Sequence, residues 1–181
     1  MRIIAGEWRG RPLSAPEGRD TRPTSDRARE GLFSILASRV GTFEGLHVAD
    51  LFAGTGALGL EALSRGAAHC LFVESDRSAL AALQRNIAAF GAAERTQVQT
   101  QPLEYAHPPQ QPCDIVLLDP PYRSGLAEMA LQRICNAGWV APGGLVSIET
   151  DGTPLETPLG FAIEAERRFG KAYLTLFRRE I

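Results

Sequence analysis

The chain has 181 residues, 44% of them hydrophobic and 22% charged, with a formal net charge of -2. That length and composition suit one globular domain with a sizeable core, and the small net charge argues against a partner held by overall charge alone. No apolar span reaches membrane-crossing length and the opening Met1-Arg2-Ile3-Ile4 lacks a signal-peptide core, so a reduced cytoplasmic setting is expected.

The first 39 residues hold eight arginines against five acids, a local balance of +3 that leaves the remainder at about -5. Arg2 to Leu13 alternates short apolar pieces with glycine and arginine, which predicts a small β-hairpin. Ala15 to Arg22 reads as a loop. Thr24 or Ser25 can then cap a helix reaching about Ser38, with Ala28, Leu32, Phe33, Ile35 and Leu36 on its apolar stripe. Lys171 is the only lysine in the chain. Arginine forks grip phosphate and stack on bases, so an RNA- or DNA-contacting extension fits this segment; a solvated charged face and arginine-favouring codon usage are the structural and compositional alternatives. Trp8 suits either base stacking or packing within the hairpin.

A strand is expected over His47–Phe52, followed by a turn with glycines at 54, 56 and 59, the G-x-G-x-x-G spacing that lets backbone approach a ligand and a helix pack tightly on a sheet. The next strand, Cys70–Val73, ends at Glu74, where an acid can accept two hydrogen bonds from a ribose diol. A helix over Arg77–Phe90 and a weaker strand over Thr96–Thr100 continue the alternation that marks a doubly wound parallel sheet. The three cysteines, Cys70, Cys113 and Cys135, are widely spaced and odd in number. Cys70 and Cys113, within or beside predicted strands, read as core residues and not as ligands or disulfides, and His47, His69 and His107 form no metal-ligand spacing with the cysteines.

Ile115–Leu118 is an unbroken apolar run, as a strand buried on both faces requires, and it delivers Asp119, Pro120, Pro121 and Tyr122 to the carboxyl end where open α/β sheets bind ligands. Two prolines remove two backbone donors and stiffen the loop. One carboxylate, bare carbonyls and an aromatic ring suit a flat group bearing N–H donors, such as the amino edge of a nucleobase. Leu126–Cys135 reads as a helix, Ala141-Pro142-Gly143-Gly144 as a turn, and Leu145–Glu149 as a strand. Asp151–Leu159 shows no helical pattern, and a terminal hairpin is expected from Phe161–Arg168 and Ala172–Arg178. Asp50, inside the strand before the glycine loop, is placed to reach a ligand's amino group. Acids at both Asp50 and Asp119 favour a cationic ligand over a pyrophosphate, hence S-adenosyl-L-methionine over NAD.

Asp50-Leu51-Phe52-Ala53-Gly54-Thr55-Gly56, the strand ending at Glu74 and Asp119-Pro120-Pro121-Tyr122, in this order, resemble a class I S-adenosylmethionine-dependent methyltransferase. In such enzymes the last tetrapeptide marks methylation of exocyclic amino nitrogens. Arg2-Ile3-Ile4-Ala5-Gly6, Arg9-Gly10-Arg11-Pro12-Leu13, the run from Thr21 to Phe33 and Phe169–Phe177 narrow the resemblance. They are similar to the bacterial 16S rRNA guanine-N2 methyltransferase family that modifies guanine 966, over essentially the whole chain.

The resemblance implies an α/β fold: a Rossmann-like, mostly parallel seven-stranded sheet with helices on both faces and a terminal antiparallel hairpin. Residues 40–181 would form the catalytic domain and 1–39 an arginine-rich extension. It implies a cofactor site from Asp50, Phe52, Gly54, Thr55, Gly56, Glu74 and Ser75, closed over by Arg22, Pro23 and Thr24. Asp119, Pro120 and Tyr122 would be catalytic, Pro121 would line the base site, and Arg9 and Arg11 would meet RNA phosphates. The partner would be 16S rRNA or the assembled small ribosomal subunit, met by a monomer without metal. An adenine-N6 methyltransferase shares the tetrapeptide and is the near alternative. An NAD-dependent oxidoreductase would leave Asp119–Tyr122 unused, and a non-catalytic RNA-binding module would leave both acidic strand ends unexplained.

Overall fold

A computed structural model describes residues 1–18 and 26–181. Seven strands form one sheet: β1 (His47–Leu51), β2 (His69–Val73), β3 (Thr96–Gln99), β4 (Cys113–Leu118), β5 (Val140–Thr150), β6 (Phe161–Phe169) and β7 (Ala172–Arg179). Their order is β3-β2-β1-β4-β5-β7-β6. The first five run parallel, and β7 inserts antiparallel to both β5 and β6. The chain order reverses between β1 and β4, the crevice where such sheets bind ligands.

β4 shows why its apolar run is unbroken. Ile115 and Leu117 enter the core on one face, and Val116 and Leu118 enter the core on the other. Three helices cover the first face: α1 (Asp26–Val40), α2 (Ala57–Ser64) and α3 (Arg77–Ala89), through residues such as Phe33, Leu63 and Leu83. Among the described residues the second face has α4 (Leu126–Asn136) alone, with Leu131 and Ile134 against the sheet. Beside α4 the β3–β4 connection supplies one tight turn at Leu103–Tyr105, whose Leu103 is buried, and Arg133 ties it to α4 by donating to the Ala106 carbonyl at 2.8 Å. Helices thus cover both faces, but unequally. Residues 151–160 carry no helix, in agreement with the sequence.

The structure corrects the sequence reading at two elements. Val140 to Gly144 belongs to β5 itself, not to a turn ahead of it: the strand starts at Val140 and its pairing with β4 shifts register between Cys113–Val140 and Ile115–Leu145. Gly143, at φ 74°, accommodates this irregularity, where a Cβ would be strained. The opening hairpin reduces to a single bridge, Arg2 with Pro12, closing a loop of turns. The loop holds through its own backbone bonds, with the Ile3 amide donating to the Arg11 carbonyl at 3.0 Å, the Gly10 amide to the Ile3 carbonyl at 2.8 Å and the Leu13 amide to the Met1 carbonyl at 2.9 Å, and through bonds to α2. Buried Glu61 accepts from the Ile4 and Ala5 amides at 2.8 and 3.0 Å, and Ser64 Oγ accepts from the Trp8 amide at 3.0 Å. A Cβ on Gly6 would fall 1.9 Å from the Ser64 carbonyl oxygen, so only glycine permits this approach. Trp8 is buried and stacks on Phe90 with centroids 4.9 Å apart, which makes it a packing residue. The helix cap assigned to Thr24 or Ser25 lies outside the described residues.

All three cysteines are free; burial pushes the Cys113 and Cys135 thiols up to about 12 and raises the Cys70 thiol well above its ordinary value. They are core residues without thiolate chemistry. Among the described residues no helix is long and apolar enough to cross a membrane.

Candidate active site at the carboxyl edge of the sheet

The glycine loop is held by two carboxylates from opposite sides. Below it, Asp50 is 1% exposed and its Oδ2 accepts from the Gly59 amide in the first turn of α2 at 2.8 Å. Above it, Glu74 Oε2 accepts from the Gly54 amide at 2.8 Å, while its Oε1 accepts from the Ser75 and Asp76 amides, both at 2.8 Å. Asp76 in turn caps α3 by accepting from the Ala79 amide. The chain leaves β1 through Phe52 at φ 61°, a left-handed conformation that a bulky residue adopts only when its surroundings impose it.

The three glycines have distinct reasons. A Cβ on Gly59 would lie 2.4 Å from the Phe72 ring and 2.6 Å from Cys70 Sγ, so α2 could not sit this close to the sheet. Gly56 combines φ 81° with a would-be Cβ 2.4 Å from Leu83. Gly54 has φ 56° and open space where its Cβ would be, as a backbone needs where a ligand approaches. Thr55, largely buried, contributes its carbonyl to Asn86 of α3 at 2.9 Å.

A cleft of about 390 Å³ opens beside this loop, lined by Phe52, Glu74, Ser75, Gln101, Pro102, Leu103, Asp119, Pro121 and Met129 among others. The predicted Phe52, Glu74, Ser75, Asp119 and Pro121 are therefore brought together. Gln101, Pro102, Leu103 and Met129 were missed from sequence. The first three follow β3 directly, and the rule that ligands lie beyond the carboxyl ends of strands could have flagged them.

Electrostatics select the ligand's sign. The described lining includes four acids, Glu74, Asp76, Glu104 and Asp119, and neither arginine nor lysine. Burial raises the Asp50 carboxyl well above its ordinary value; the Gly59 hydrogen bond pulls it down, and the Asp119 and Glu74 charges push it further up. Such a surround disfavours a pyrophosphate and favours a cation with a ribose and an amino group. Asp50 itself acts from beneath the loop, its carboxylate committed to Gly59, and not at the surface where direct reach to a ligand's amino group was expected.

Asp119 is half-buried just past β4, with its amide 3.4 Å from the Leu51 carbonyl of β1. Pro120 is buried, Pro121 exposed, and the chain then turns back through Arg123 at φ 55°. Pro121 lines both the large cleft and an adjacent pocket of about 140 Å³ shared with Pro120, Tyr122, Glu149 and Leu155. The Tyr122 hydroxyl donates to Glu149 Oε1 at 2.7 Å. Glu149 was another residue the sequence reading passed over.

The arginines expected on RNA lie elsewhere. Arg11 donates to the Ala89 carbonyl at the end of α3 at 2.6 Å and sits 4.5 Å over the Phe90 ring. Arg9 is exposed on the same loop. That loop packs where α2 and α3 end, the edge of the sheet opposite Asp119. Arg22 and Thr24, expected over the cofactor, lie outside the described residues.

A family model described as "Conserved hypothetical protein 95" matches residues 1–178. The ribosomal RNA small subunit methyltransferase D of Escherichia coli (strain K12) is 38% identical, the match covering 99% of this chain and 90% of that protein. Its Haemophilus influenzae namesake is also 38% identical, over 98% and 93%. The solved structure of the Escherichia coli protein yhhF superposes with a TM-score of 0.87 at 37% identity, covering 99% of this chain and 98% of that one. On a class I methyltransferase fold with its glycine loop and acidic cleft in place, and with relatives of this identity along nearly its full length, the chain belongs to the family of ribosomal RNA small subunit methyltransferase D.

Proposed function

We propose that the protein methylates the exocyclic N2 of a guanine, guanine 966, in 16S rRNA of the small ribosomal subunit. The observation that carries this reading is the placement of Asp119, Pro120, Pro121 and Tyr122 at the end of β4, with Asp119 and Pro121 lining the same cleft as Phe52, Glu74 and Ser75. An acceptor site and a cofactor site thereby share one wall.

The cofactor is S-adenosyl-L-methionine, and the residues present suit it: acids around the cleft for its charge, an open backbone at Gly54, and Glu74 for its ribose. Bound there, it supplies a methyl group already activated on a sulfonium. Gly54, Thr55 and Gly56 form the close backbone wall; Asp50 holds that wall rigid through Gly59; Phe52 and Ser75 flank the ligand; Arg22 and Thr24 are assigned to the cofactor by the family resemblance alone. The work left to the protein is positioning. Guanine N2 is a poor nucleophile because its lone pair is delocalised into the ring. The Asp119 carboxylate and Pro120 carbonyl accept its two amino hydrogens, orient the lone pair and stabilise the positive charge that develops on nitrogen. The proton released after transfer leaves by way of Asp119 at the rim. Tyr122 stacks on the base, which is turned out of its helix to enter, and Pro121 bounds the base site.

The RNA approaches the carboxyl edge. There Arg123, with its side chain 88% exposed, and the exposed Arg167, Arg168 and Lys171 at the β6–β7 tip surround the entrance. Arg9 and Arg11, on the N-terminal loop, stand away from that entrance and make no contact with the RNA. Residues 1–39 serve as an extension of a catalytic body formed by 40–181. The protein works as a monomer in the cytoplasm, where small subunits mature.

Asp119→Ala is the direct test: methyl transfer to small-subunit RNA should fall about 10²–10³-fold while cofactor affinity changes by less than about tenfold. Retained transfer would remove Asp119 from catalysis. Nucleoside analysis of the labelled RNA distinguishes methylated guanine N2 from adenine N6.

A further inference from the structure

Glu149 occupies a position that the assignment above leaves without a role. Leu118 of β4 pairs with Ile148 of β5 in parallel register, so the next residues, Asp119 and Glu149, stand side by side at the carboxyl edge. Both line one narrow cavity, and Glu149 also lines the adjacent pocket formed by Pro120, Pro121 and Tyr122. Its Oε1 accepts from the Tyr122 hydroxyl at 2.7 Å. One carboxylate is thus tied to the ring that stacks on the base and is also adjacent to the carboxylate that holds the reacting amino group.

We propose that Glu149 is the residue that discriminates the target base: it sets the plane of Tyr122 and accepts the N1–H of guanine beside the N2 amino group held by Asp119 and Pro120. This inference rests on the reading of the site as a guanine-N2 methyltransferase. Its chemical basis is the donor pattern of the Watson–Crick edge. Guanine presents N1–H and the N2 amino group as adjacent donors, which neighbouring carboxylates can accept together. In adenine the ring nitrogen beside the exocyclic amine carries a lone pair. It would face the Glu149 carboxylate acceptor to acceptor, and a buried polar pair left unsatisfied in this way rejects the wrong base. Asp119-Pro120-Pro121-Tyr122 holds an amino nitrogen of either base; Glu149 makes the choice.

The test uses the full-length protein and small-subunit RNA carrying guanine or 2-aminopurine at the target position. 2-Aminopurine keeps the reacting amine and lacks the N1 proton together with the O6 carbonyl, so the change in ratio between wild type and Glu149→Gln, and not the wild-type ratio alone, reports on N1. Wild type should favour guanine by about 100-fold or more in kcat/KM. Glu149→Gln retains an oxygen for the Tyr122 hydroxyl and turns an N–H toward the base. It should lower the guanine rate and raise that of 2-aminopurine, compressing the ratio to below about tenfold. Glu149→Asp, still a carboxylate, should lower both rates and keep the preference for guanine. Tyr122→Phe, which removes the hydroxyl, should raise KM for RNA and leave the ratio near wild type. Titration with S-adenosyl-L-methionine confirms that each variant is folded. A wild-type ratio in Glu149→Gln, with guanine still methylated, overturns the assignment of Glu149 alone. A wild-type enzyme that methylates adenine N6, or neither base, overturns the guanine reading and this inference together.

Discussion

At the carboxyl edge of the sheet, Asp50, Glu74, Asp119 and Glu149 stand on four neighbouring loops and strand ends. The first two accept backbone amides of the glycine loop and its surroundings, and the last two line one narrow cavity together with Leu118 and Phe169. At the opposite edge, positive charge is spent on carbonyl oxygens. Arg11 bonds the end of α3, Arg95 donates to the Leu63 and Ala67 carbonyls at 2.8 Å each, and both lie over aromatic rings. Helix carboxyl termini expose unpaired carbonyls and a partial negative charge, and an arginine fork can bond two of them while its flat face stacks on a ring. Much of the arginine in this chain therefore serves the fold. The charge excess of the first 39 residues is partly a docking device, with Arg29 buried against Glu61 and bonded to the Arg2 carbonyl. The contrast teaches that a basic segment can have its arginines engaged by the fold itself, through carbonyl oxygens, a buried carboxylate and aromatic rings.

The strongest way to break the contrast is at Glu61. Replacing it with Ala leaves the buried Arg29 with only the exposed Asp26 as its ion-pair partner among the described residues, frees Arg65 and releases the Ile4 and Ala5 amides. A loss of about 3–5 kcal/mol is expected in denaturant unfolding. An unchanged midpoint would show that the N-terminal segment does not depend on this carboxylate. Next comes the site-edge charge. Removing Arg167, Arg168 and Lys171 together should weaken RNA binding about 10-fold or more and flatten its salt dependence by two to three, roughly one per phosphate contact. Arg9→Ala should leave that slope unchanged; the reverse result would return RNA contact to the N-terminal loop.

Arg11→Ala should lower Tm by about 2–4 °C, the consequence of one lost hydrogen bond, with RNA affinity within about twofold of wild type. The smallest effect is in the pH dependence of stability. Because burial raises the folded-state carboxyl of Asp50 above the unfolded 3.8, its contribution is most favourable below pH 3.8 and is lost as pH rises through the folded value. Asp50→Asn keeps an acceptor for Gly59 and cannot ionise, so its stability should decline less than that of wild type from pH 4 to 7. A parallel pair of profiles would mean that Asp50 is not protonated more readily in the folded state.

The amino-acid sequence by itself determined the strand and helix order, because apolar spacing and glycine or proline punctuation act over a few residues. It also put Glu74, Asp119 and Pro121 on the cleft, since an acid or a rigid turn just beyond a buried strand has few other places to be, whereas Phe52 and Ser75, which line the cleft too, were implied by the family resemblance. The β5 irregularity was hidden because Pro142-Gly143-Gly144 satisfies the rules of a turn, and only pairing with β4 reveals it as strand. Tertiary structure alone decided that Asp50 works from below the glycine loop and that Trp8 packs on Phe90. It likewise decided that Arg11 caps a helix 78 residues away in the chain and that Glu149 holds Tyr122. These are contacts between residues distant in sequence. Their partners are chosen by which helix end or strand end the packing brings near, and local periodicity carries no record of that choice.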